Sequence, residues 1–331
     1  MRDRALGSLL GLAVGDALGT TLEFTVLDAP PFPSLATGPH RDVIGGGPHR
    51  VARGQVTDDT QMACCLAASL KALGRFDARD VAQRYAAWEP IAFDVGMQTG
   101  ASLEQLARMP DDADPIAGGR LVWSSSTRRK PAGNGSLMRT APIAVFFADD
   151  DEERRRASLV DSAITHFDPR CRLACAAFNA AIVHSFDAAR EELAAGARWL
   201  LREEPSLAQD IQSAQADLTA DLDAAQKDDP ELYTPELHLH EMEGFVRVAF
   251  RLAFWELVHA PSFEAALIDV VNRGGDADTN GAITGALLGA HYGASAIPER
   301  WSEPTLSALA DRPGPLHDEY HPRRLLELVM P

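Results

Sequence analysis

Two segments near opposite ends of the chain place glycine at every fourth position of an apolar helical repeat. These glycines are Gly7, Gly11, Gly15 and Gly19 in the first segment and Gly281, Gly285, Gly289 and Gly293 in the second. Glycine inside a helix costs up to ~1 kcal/mol per site relative to alanine, so eight of them require a compensating contact. A four-residue spacing lines one face of a helix, which allows two backbones to approach closely. The pattern predicts that these two helices pack together; the alternative is that each packs on a different helix.

The composition favours an all-α protein. Alanine, leucine and glycine dominate, segments rich in β-branched residues are scarce, and 331 residues suffice for one large domain with a substantial core. No low-complexity linker divides the chain, so we expect a single domain over residues 1–331. Helical periodicity predicts helices over 4–19, 59–73, 78–88, 156–164, 171–186, 242–259 and 263–271.

Three further segments have distinct patterns. Residues 190–229 are acidic and alanine-rich with one apolar face, which predicts one amphipathic surface helix. Residues 110–136 contain paired glycines and a run of serines, which predicts a loop. Residues 20–54 are rich in proline and glycine, and a long loop of this kind often covers an active site.

The charge and the cysteines constrain partners and location. The net charge of −17, with no basic stripe, argues against nucleic acid as a partner. The four cysteines do not form a disulfide pattern and are expected to be buried free thiols, as in a reducing cytoplasm. The apolar stretch 6–18 contains Asp16 and lacks the order of a signal peptide, and no run reaches transmembrane length. We therefore expect a soluble, cytoplasmic protein without a membrane partner.

Two short acidic clusters carry most of the chemical information. They are Thr57-Asp58-Asp59-Thr60 and Asp276-Ala277-Asp278-Thr279-Asn280, each next to glycine and each ahead of a small-residue helix. Such residues are also preferred helix caps, and capping would account for one or two of the oxygens. Packing of the two glycine helices would place the second cluster near Asp16 and Glu23. Together the clusters would form an all-oxygen pocket that suits a hard divalent cation, Mg²⁺ or Mn²⁺.

Several other residues are candidates for ligand binding. The turn Gly133-Asn134-Gly135-Ser136 could cradle a phosphate or ribose with its amides, although such a turn is also common in loops. His166 lies at a helix junction, where a structural role is the alternative, and Asp94 lies in a turn. The His238-Leu239-His240-Glu241 segment lacks the spacing of a helical zinc site.

These motifs occur together in one order. They are Gly11 to Gly19 with Glu23, Thr57 to Thr60, Gly133 to Arg139, Thr165-His166, and Gly274 to Asn280. In this order and spacing the sequence resembles the ADP-ribosylglycohydrolase family from about residue 2 to residue 301. No single motif is specific, but the ordered set is.

The resemblance implies an orthogonal all-α bundle with two Mg²⁺ or Mn²⁺ ions in a central cleft. By motif position, the implied metal ligands are Thr57, Asp58, Asp59, Asp276, Asp278 and Thr279. Glu23 matches an acid that contacts the metal or water from a mobile loop in some members. The implied ADP-ribose pocket is lined by Asp94, Gly133, Asn134, Gly135, Ser136 and His166. The chain departs from the common pattern at Gln98, where threonine is usual, and at Asp168, near the place of a second histidine.

The implied activity is metal-dependent hydrolysis of the glycosidic bond between ADP-ribose and a modified protein side chain, with arginine favoured. A carboxylate must take a proton from water, and Glu23, Asp58 and Asp59 are the candidates. One alternative is a non-catalytic protein that binds ADP-ribose or acts as a crystallin-like structural component. Another is a hydrolase of a different ADP-ribose or nucleotide derivative, including a phosphoesterase. The acceptor side chain cannot be derived from the sequence.

Overall fold

The computed structural model describes residues 2–110, 112–127 and 131–329, and these residues are predominantly helical. The helices within these ranges are α1 (Arg2–Gly19), α2 (Asp58–Leu73), α3 (Ala78–Trp88), α4 (Met97–Ala107), α5 (Ala117–Ser125), α6 (Ala141–Phe146), α7 (Asp151–Thr165), α8 (Pro169–Val183), α9 (Phe186–Glu203), α10 (Ala208–Ala225), α11 (Val246–His259), α12 (Phe263–Asn272), α13 (Ala277–Tyr292), α14 (Glu299–Ser307), α15 (Pro315–Asp318) and α16 (Pro322–Leu326). Three single 3₁₀ turns lie at Glu89–Ile91, Pro205–Leu207 and Ala294–Ala296. The all-α prediction is confirmed.

The two glycine-lined helices, α1 and α13, pack against each other in antiparallel order. A side chain added at Gly11 would overlap the carbonyl oxygen of Gly285, and one added at Gly285 would overlap that of Gly11. The same reciprocal relation joins Gly7 to Gly289 and Gly15 to Gly281. The predicted helix pair is therefore confirmed, and the absence of side chains is what allows the two backbones to touch.

This helix pair lies inside the largest apolar cluster. Nearly every residue of α8 is buried with it, and the four cysteines are buried free thiols, as expected. Among the helices of the described ranges, none combines the length and the apolar character needed to cross a bilayer.

Two sequence predictions differ from the structure. The surface helix expected over 190–229 is two helices, α9 and α10, because Pro205 begins a 3₁₀ turn between them. The loop expected over 110–136 contains α5, and residues 111 and 128–130 of that segment lie outside the described residues. Positions 118 and 119 lie in this helix and are both glycine. A side chain at Gly118 would overlap the carbonyl oxygen of Ser102 on α4, and one at Gly119 would overlap that of Ala163 on α7. The paired glycines thus mark close helix packing.

The long segment between α1 and α2 is irregular, as predicted, but it is fixed at several points. Strand β1 (Thr25–Val26) pairs with β2 (Gly274–Gly275), the turn just before α13. Asn272 exchanges hydrogen bonds with the backbone of His40 at 3.0 and 2.7 Å. The Arg273 guanidinium lies 3.6 Å from the centre of the Phe32 ring. These contacts hold the segment against the end of α12 and bring Glu23 beside the second acidic cluster.

Candidate active site and metal centre

Asp16 on α1 fixes the first acidic cluster in place. Its carboxylate accepts hydrogen bonds from the Thr57 amide at 3.0 and 3.1 Å and from the Thr57 hydroxyl at 3.0 Å. It also accepts from the Thr60 amide at 3.1 Å and the Thr60 hydroxyl at 2.6 Å. One fully buried carboxylate therefore orders the whole first turn of α2.

The alternative that the first residue of each cluster serves as a side-chain helix cap is not observed. Thr57 and Asp276 occupy the N-cap positions of α2 and α13, yet neither side chain caps its helix. Instead the Thr57 hydroxyl lies 3.0 Å from an oxygen of Asp16, 2.9 Å from Asp59 and 3.4 Å from Asp278. A hydroxyl donates one hydrogen, so it satisfies only one of these three carboxylates. The two clusters therefore meet at Thr57 with an excess of negative charge.

Glu23 joins the second cluster through the short sheet. The Phe24 amide donates to the Gly275 carbonyl at 2.7 Å, which fixes the residue after Glu23 next to the turn before Asp276. Carboxylate oxygens of Glu23, Asp276 and Asp278 lie within 4.8 Å of one another. The Thr279 hydroxyl bonds to the Asp276 carboxylate. The predicted ligands of the second cluster thus converge on Glu23.

Burial raises the pKa of every carboxyl in this region. The pKa of Glu23 rises to about 8, first through burial and then through repulsion by Asp94. The pKa of Asp16 rises to about 6 through burial, although its hydrogen bonds from Thr60 and Thr57 oppose the rise. Burial also raises the pKa values of Asp58, Asp59 and Asp278 well above the ordinary range and raises those of Asp94 and Asp276. A bound cation would reverse this cost by favouring the ionised forms.

These residues could hold a metal ion. The donors are carboxylate and hydroxyl oxygens, the ligands that hard divalent cations prefer. Among the described residues of this cluster, three buried carboxylate oxygens have no hydrogen-bond partner: one each on Glu23, Asp59 and Asp278. Buried polar atoms are normally satisfied, so unpartnered oxygens in one acidic cluster fit a cation site.

A cavity of about 590 Å³ opens beside this cluster. The predicted site residues on its wall are Glu23, Asp58, Asp94, Gly133, Asn134, Gly135, His166, Asp276, Asp278 and Thr279. Thr57, Asp59 and Ser136 are fully buried and do not line the wall. The volume lies within the ~300–1,000 Å³ typical of small-molecule sites. The acidic cluster and the glycine turn therefore line the same cavity.

The glycine turn is fixed by contacts that its sequence does not reveal. The Gly133 amide donates to Gln98 at 2.9 Å, and the Asn134 amide donates to the Gly244 carbonyl at 3.0 Å. The cradle predicted for a phosphate therefore does not include these two amides. The Asn134 side chain donates to Asp276 at 2.6 Å, and the Ser136 hydroxyl lies 2.9 Å from that of Ser162. Asn134 thus orients an acidic residue, and Ser136 belongs to the core.

His166 is buried against the glycine turn. A side chain at Gly133 or Gly135 would press on its ring, which explains why both positions are glycine. Its Nδ1 lies 2.8 Å from the Thr165 hydroxyl, which accepts a hydrogen bond of 2.8 Å from the buried Arg139. Burial, reinforced by Arg139, holds the pKa of His166 well below its usual value. The imidazole is therefore neutral, and it lines the cavity.

The structure adds two residues that sequence reasoning did not assign to the site. Asp16 was expected only as a neighbour, but it organises the first cluster; its one signal was a carboxylate within a glycine-lined helix. His49 lies 3.3 Å from Glu23 and 3.5 Å from Asp94, within a loop that carried no motif. Asp168, in contrast, caps α8 by accepting from the Arg170 amide at 3.0 Å, so its role is structural.

We expect the metal-free protein to lose stability as the pH rises. Carboxyls with a raised pKa bind more protons in the folded than in the unfolded chain, so the free energy of unfolding falls with pH. For Asp16 the window runs from 3.8 to about 6, and for Glu23 from 4.5 to about 8. Thermal unfolding at pH 5 and pH 8, with a chelator and with excess Mg²⁺, measures the effect. A melting temperature that rises over this range without metal would contradict the prediction.

Known proteins resemble this chain over most of its length. The sequence model of the ADP-ribosylglycohydrolase family matches residues 1–325. The chain is 33% identical to the ADP-ribosyl-[dinitrogen reductase] glycohydrolase of Rhodospirillum rubrum, over 91% of this chain and 90% of that one. It is 31% identical to the ADP-ribosylarginine hydrolase Tri1 of Pseudomonas putida (strain GB-1), over 91% of this chain and 74% of that one.

A solved structure described as an ADP-ribosylglycohydrolase-related protein complex has the same fold. It superposes with a TM-score of 0.61 at 30% identity and covers 99% of both chains. Fold and sequence thus agree on a hydrolase of glycosidic bonds. The chain belongs to the ADP-ribosylglycohydrolase family.

Proposed function

We propose that this protein hydrolyses the bond between ADP-ribose and a modified protein side chain, with arginine as the favoured acceptor. The observation that carries the proposal is the single cavity lined both by Glu23, Asp276 and Asp278 and by the Gly133 turn with His166. The relative in Pseudomonas putida is named for arginine as its acceptor, which supports this choice of substrate. The proposed partner of this protein is then an ADP-ribosylated target protein.

The proposed metal ligands are the two acidic clusters, Thr57, Asp58, Asp59, Asp276, Asp278 and Thr279, holding two Mg²⁺ or Mn²⁺ ions. The unpartnered oxygens of Asp59 and Asp278 support this assignment. The chemistry that two such ions supply when bound is orientation of the ribose hydroxyls and acidification of a water. Asp16 would position the ligands, because it bonds to Thr57 and Thr60 and does not line the cavity.

The reaction places a water oxygen on the anomeric carbon of the ribose and breaks the bond from that carbon to the guanidine nitrogen. The bonding pair stays on the nitrogen, which takes up a proton, while a carboxylate accepts a proton from the water. Glu23 and Asp58 are the proposed acceptors because both line the cavity. Asp59, the third candidate, is fully buried, and its carboxylate lies 2.9 Å from the Thr57 hydroxyl.

The rest of the cavity wall is proposed to bind ADP-ribose. Asp94, the Gly133–Gly135 turn and His166 line the same cavity as the acidic cluster. A neutral imidazole suits a pocket for a polar sugar or a diphosphate, because it can donate one hydrogen bond without adding charge. Ser136 would act indirectly, by packing the turn against Ser162.

Product analysis tests the proposal. The purified protein is incubated with Mg²⁺ or Mn²⁺ and with proteins carrying arginine-linked or serine-linked ADP-ribose, or with O-acetyl-ADP-ribose. We expect metal-dependent release of intact ADP-ribose, fastest from arginine. Release of phosphate or AMP would instead identify a phosphoesterase. Binding of ADP-ribose without release from any of the three substrates would identify a non-catalytic binding protein.

Replacing Glu23 by glutamine should lower the catalytic rate far more than it weakens ADP-ribose binding. The change keeps the size of the side chain but removes the carboxylate that would accept a proton from the water. Turnover under saturating metal and the dissociation constant for ADP-ribose, measured on the same preparation, decide the point. An unchanged rate would contradict the catalytic role and leave Glu23 with a surface role only. The side chain is 3% exposed, which argues against such a surface role.

Two further expectations remain proposals. We keep the cytoplasm as the site of action, because four buried free thiols fit a reducing compartment. We also keep a single domain over the whole chain, in line with an apolar cluster that includes residues from Leu9 to Leu326.

A further inference from the structure

His49 brings a nitrogen donor to the edge of an otherwise all-oxygen site. It lies in a tight turn closed by hydrogen bonds of 2.9 and 3.0 Å between Gly46 and Val51. From this turn its Nε2 reaches Glu23 Oε2 at 3.3 Å and Asp94 Oδ2 at 3.5 Å. One ligand atom from each of these three residues lies within 4.8 Å of the other two. Glu23 is thus shared between this group and the group that it forms with Asp276 and Asp278.

Two of the three facing atoms, Glu23 Oε2 and His49 Nε2, have no hydrogen-bond partner within the described residues. The Glu23 side chain is only 3% exposed, whereas the His49 side chain is 22% exposed and only its Nε2 atom is buried. An unpartnered carboxylate oxygen in such a place carries a substantial desolvation cost. A bound ligand that satisfies the oxygen and the nitrogen together would remove it.

The spacing of these atoms fits a small cation. Tetrahedral coordination with bonds of ~2.0–2.1 Å places neighbouring ligand atoms ~3.3–3.4 Å apart. The two measured distances, 3.3 and 3.5 Å, agree with this edge length. One imidazole and two carboxylates also differ in kind from the neighbouring oxygen site, because imidazole favours zinc and similar ions over magnesium.

We propose that Glu23, His49 and Asp94 form a separate, inhibitory site for a borderline transition-metal ion such as Zn²⁺. Binding there engages Glu23 Oε2 and so competes for the carboxylate that Glu23 shares with Asp276 and Asp278. It also occupies Asp94 on the cavity wall. Hydrolysis is therefore inhibited while the oxygen site keeps its own ions.

Co²⁺ is the probe for this site, because its visible spectrum reports coordination number. The full chain is first saturated with Mg²⁺ and then titrated with Co²⁺. We expect one equivalent to bind with the intense visible absorption of a four-coordinate ion, and Zn²⁺ to displace it. His49→Gln should abolish the band. The matched control is His238→Gln, in the His-x-His segment where His240 is already bonded to the Arg273 carbonyl at 2.8 Å, and it should leave the band unchanged.

Three outcomes would overturn the site: a band that persists in His49→Gln, a band lost in His238→Gln, or only the weak absorption of a six-coordinate ion. Asp94→Asn provides a second ligand variant in case His49→Gln does not fold. In the hydrolysis assay with saturating Mg²⁺, His49→Gln should need at least ten-fold more Zn²⁺ for half inhibition. The Co²⁺ titration requires no turnover, so failure of the proposed hydrolase activity and failure of this site are distinguishable.

Discussion

Replacing Asp278 by asparagine is expected to reduce metal-dependent hydrolysis by about 10³-fold or more, equivalent to roughly 4 kcal/mol of lost transition-state stabilisation. Asp278 lies where both acidic clusters meet, next to the Thr57 hydroxyl and within the group that includes Glu23. One of its oxygens is buried without a partner. The amide cannot replace a charged ligand, so the affinity for the divalent cation should fall together with the rate.

The same substitution should preserve or raise the stability of the metal-free fold. Burial raises the pKa of Asp278, and repulsion by the Asp59 and Glu23 carboxylates raises it further. Removing one buried charge relieves this repulsion. Asp58→Asn should behave alike, whereas Asp223→Asn, at an exposed ion pair with Arg190, should change neither activity nor stability. The two measurements are thermal unfolding with a chelator and turnover at saturating metal. Full turnover in both Asp278→Asn and Asp58→Asn would refute the proposed metal site.

The proximity of the two acidic clusters could be predicted from the sequence because its signals are local and repeated. Each cluster puts carboxylates and a hydroxyl within a few residues, and the glycine spacing indicates which helices bring the clusters together. The role of Asp16 in ordering the first acidic cluster could not be predicted from a sequence pattern. A single carboxylate on a helix has no pattern of its own, and its five hydrogen bonds to Thr57 and Thr60 exist only after α1 and α2 meet.

Contacts between distant loops were the least predictable part of the site. His49 reaches Glu23 and Asp94 only because the β1–β2 pairing and the contacts to α12 fix the course of the segment before α2. The Gly133 turn was predicted as a binding element from its composition. Its amides at Gly133 and Asn134 are used by Gln98 and Gly244, from two other parts of the chain. Composition shows that a turn exists, but its hydrogen-bond partners depend on the tertiary fold.

Gly11→Ala is expected to have the largest effect on stability. Its added methyl group would overlap the Gly285 carbonyl oxygen, which belongs to the backbone of α13 and cannot rotate away. Overpacking of a core typically costs ~1–3 kcal/mol, and a rigid backbone neighbour places this case at the upper end. The matched control is Gly100→Ala in α4, where the nearest atom is a Val95 methyl at 3.5 Å. That change should be neutral or stabilising by ~0.5–1 kcal/mol, from helix propensity alone. Chemical denaturation of both variants measures the difference.

Combining Gly11→Ala with Gly285→Ala separates this explanation from a general intolerance of mutation. Each glycine meets the carbonyl of the other, so both substitutions push apart the same pair of backbones. Once the first has separated them, the second should cost less, and the double variant should be more stable than the sum of the single losses implies. The separation also moves Asp16 on α1 relative to Asp278 on α13. A folded Gly11→Ala protein should therefore bind Mg²⁺ more weakly, whereas Gly100→Ala should bind it as before. Strict additivity of the two losses with unchanged Mg²⁺ affinity would show that the helix contact does not set the geometry of the site.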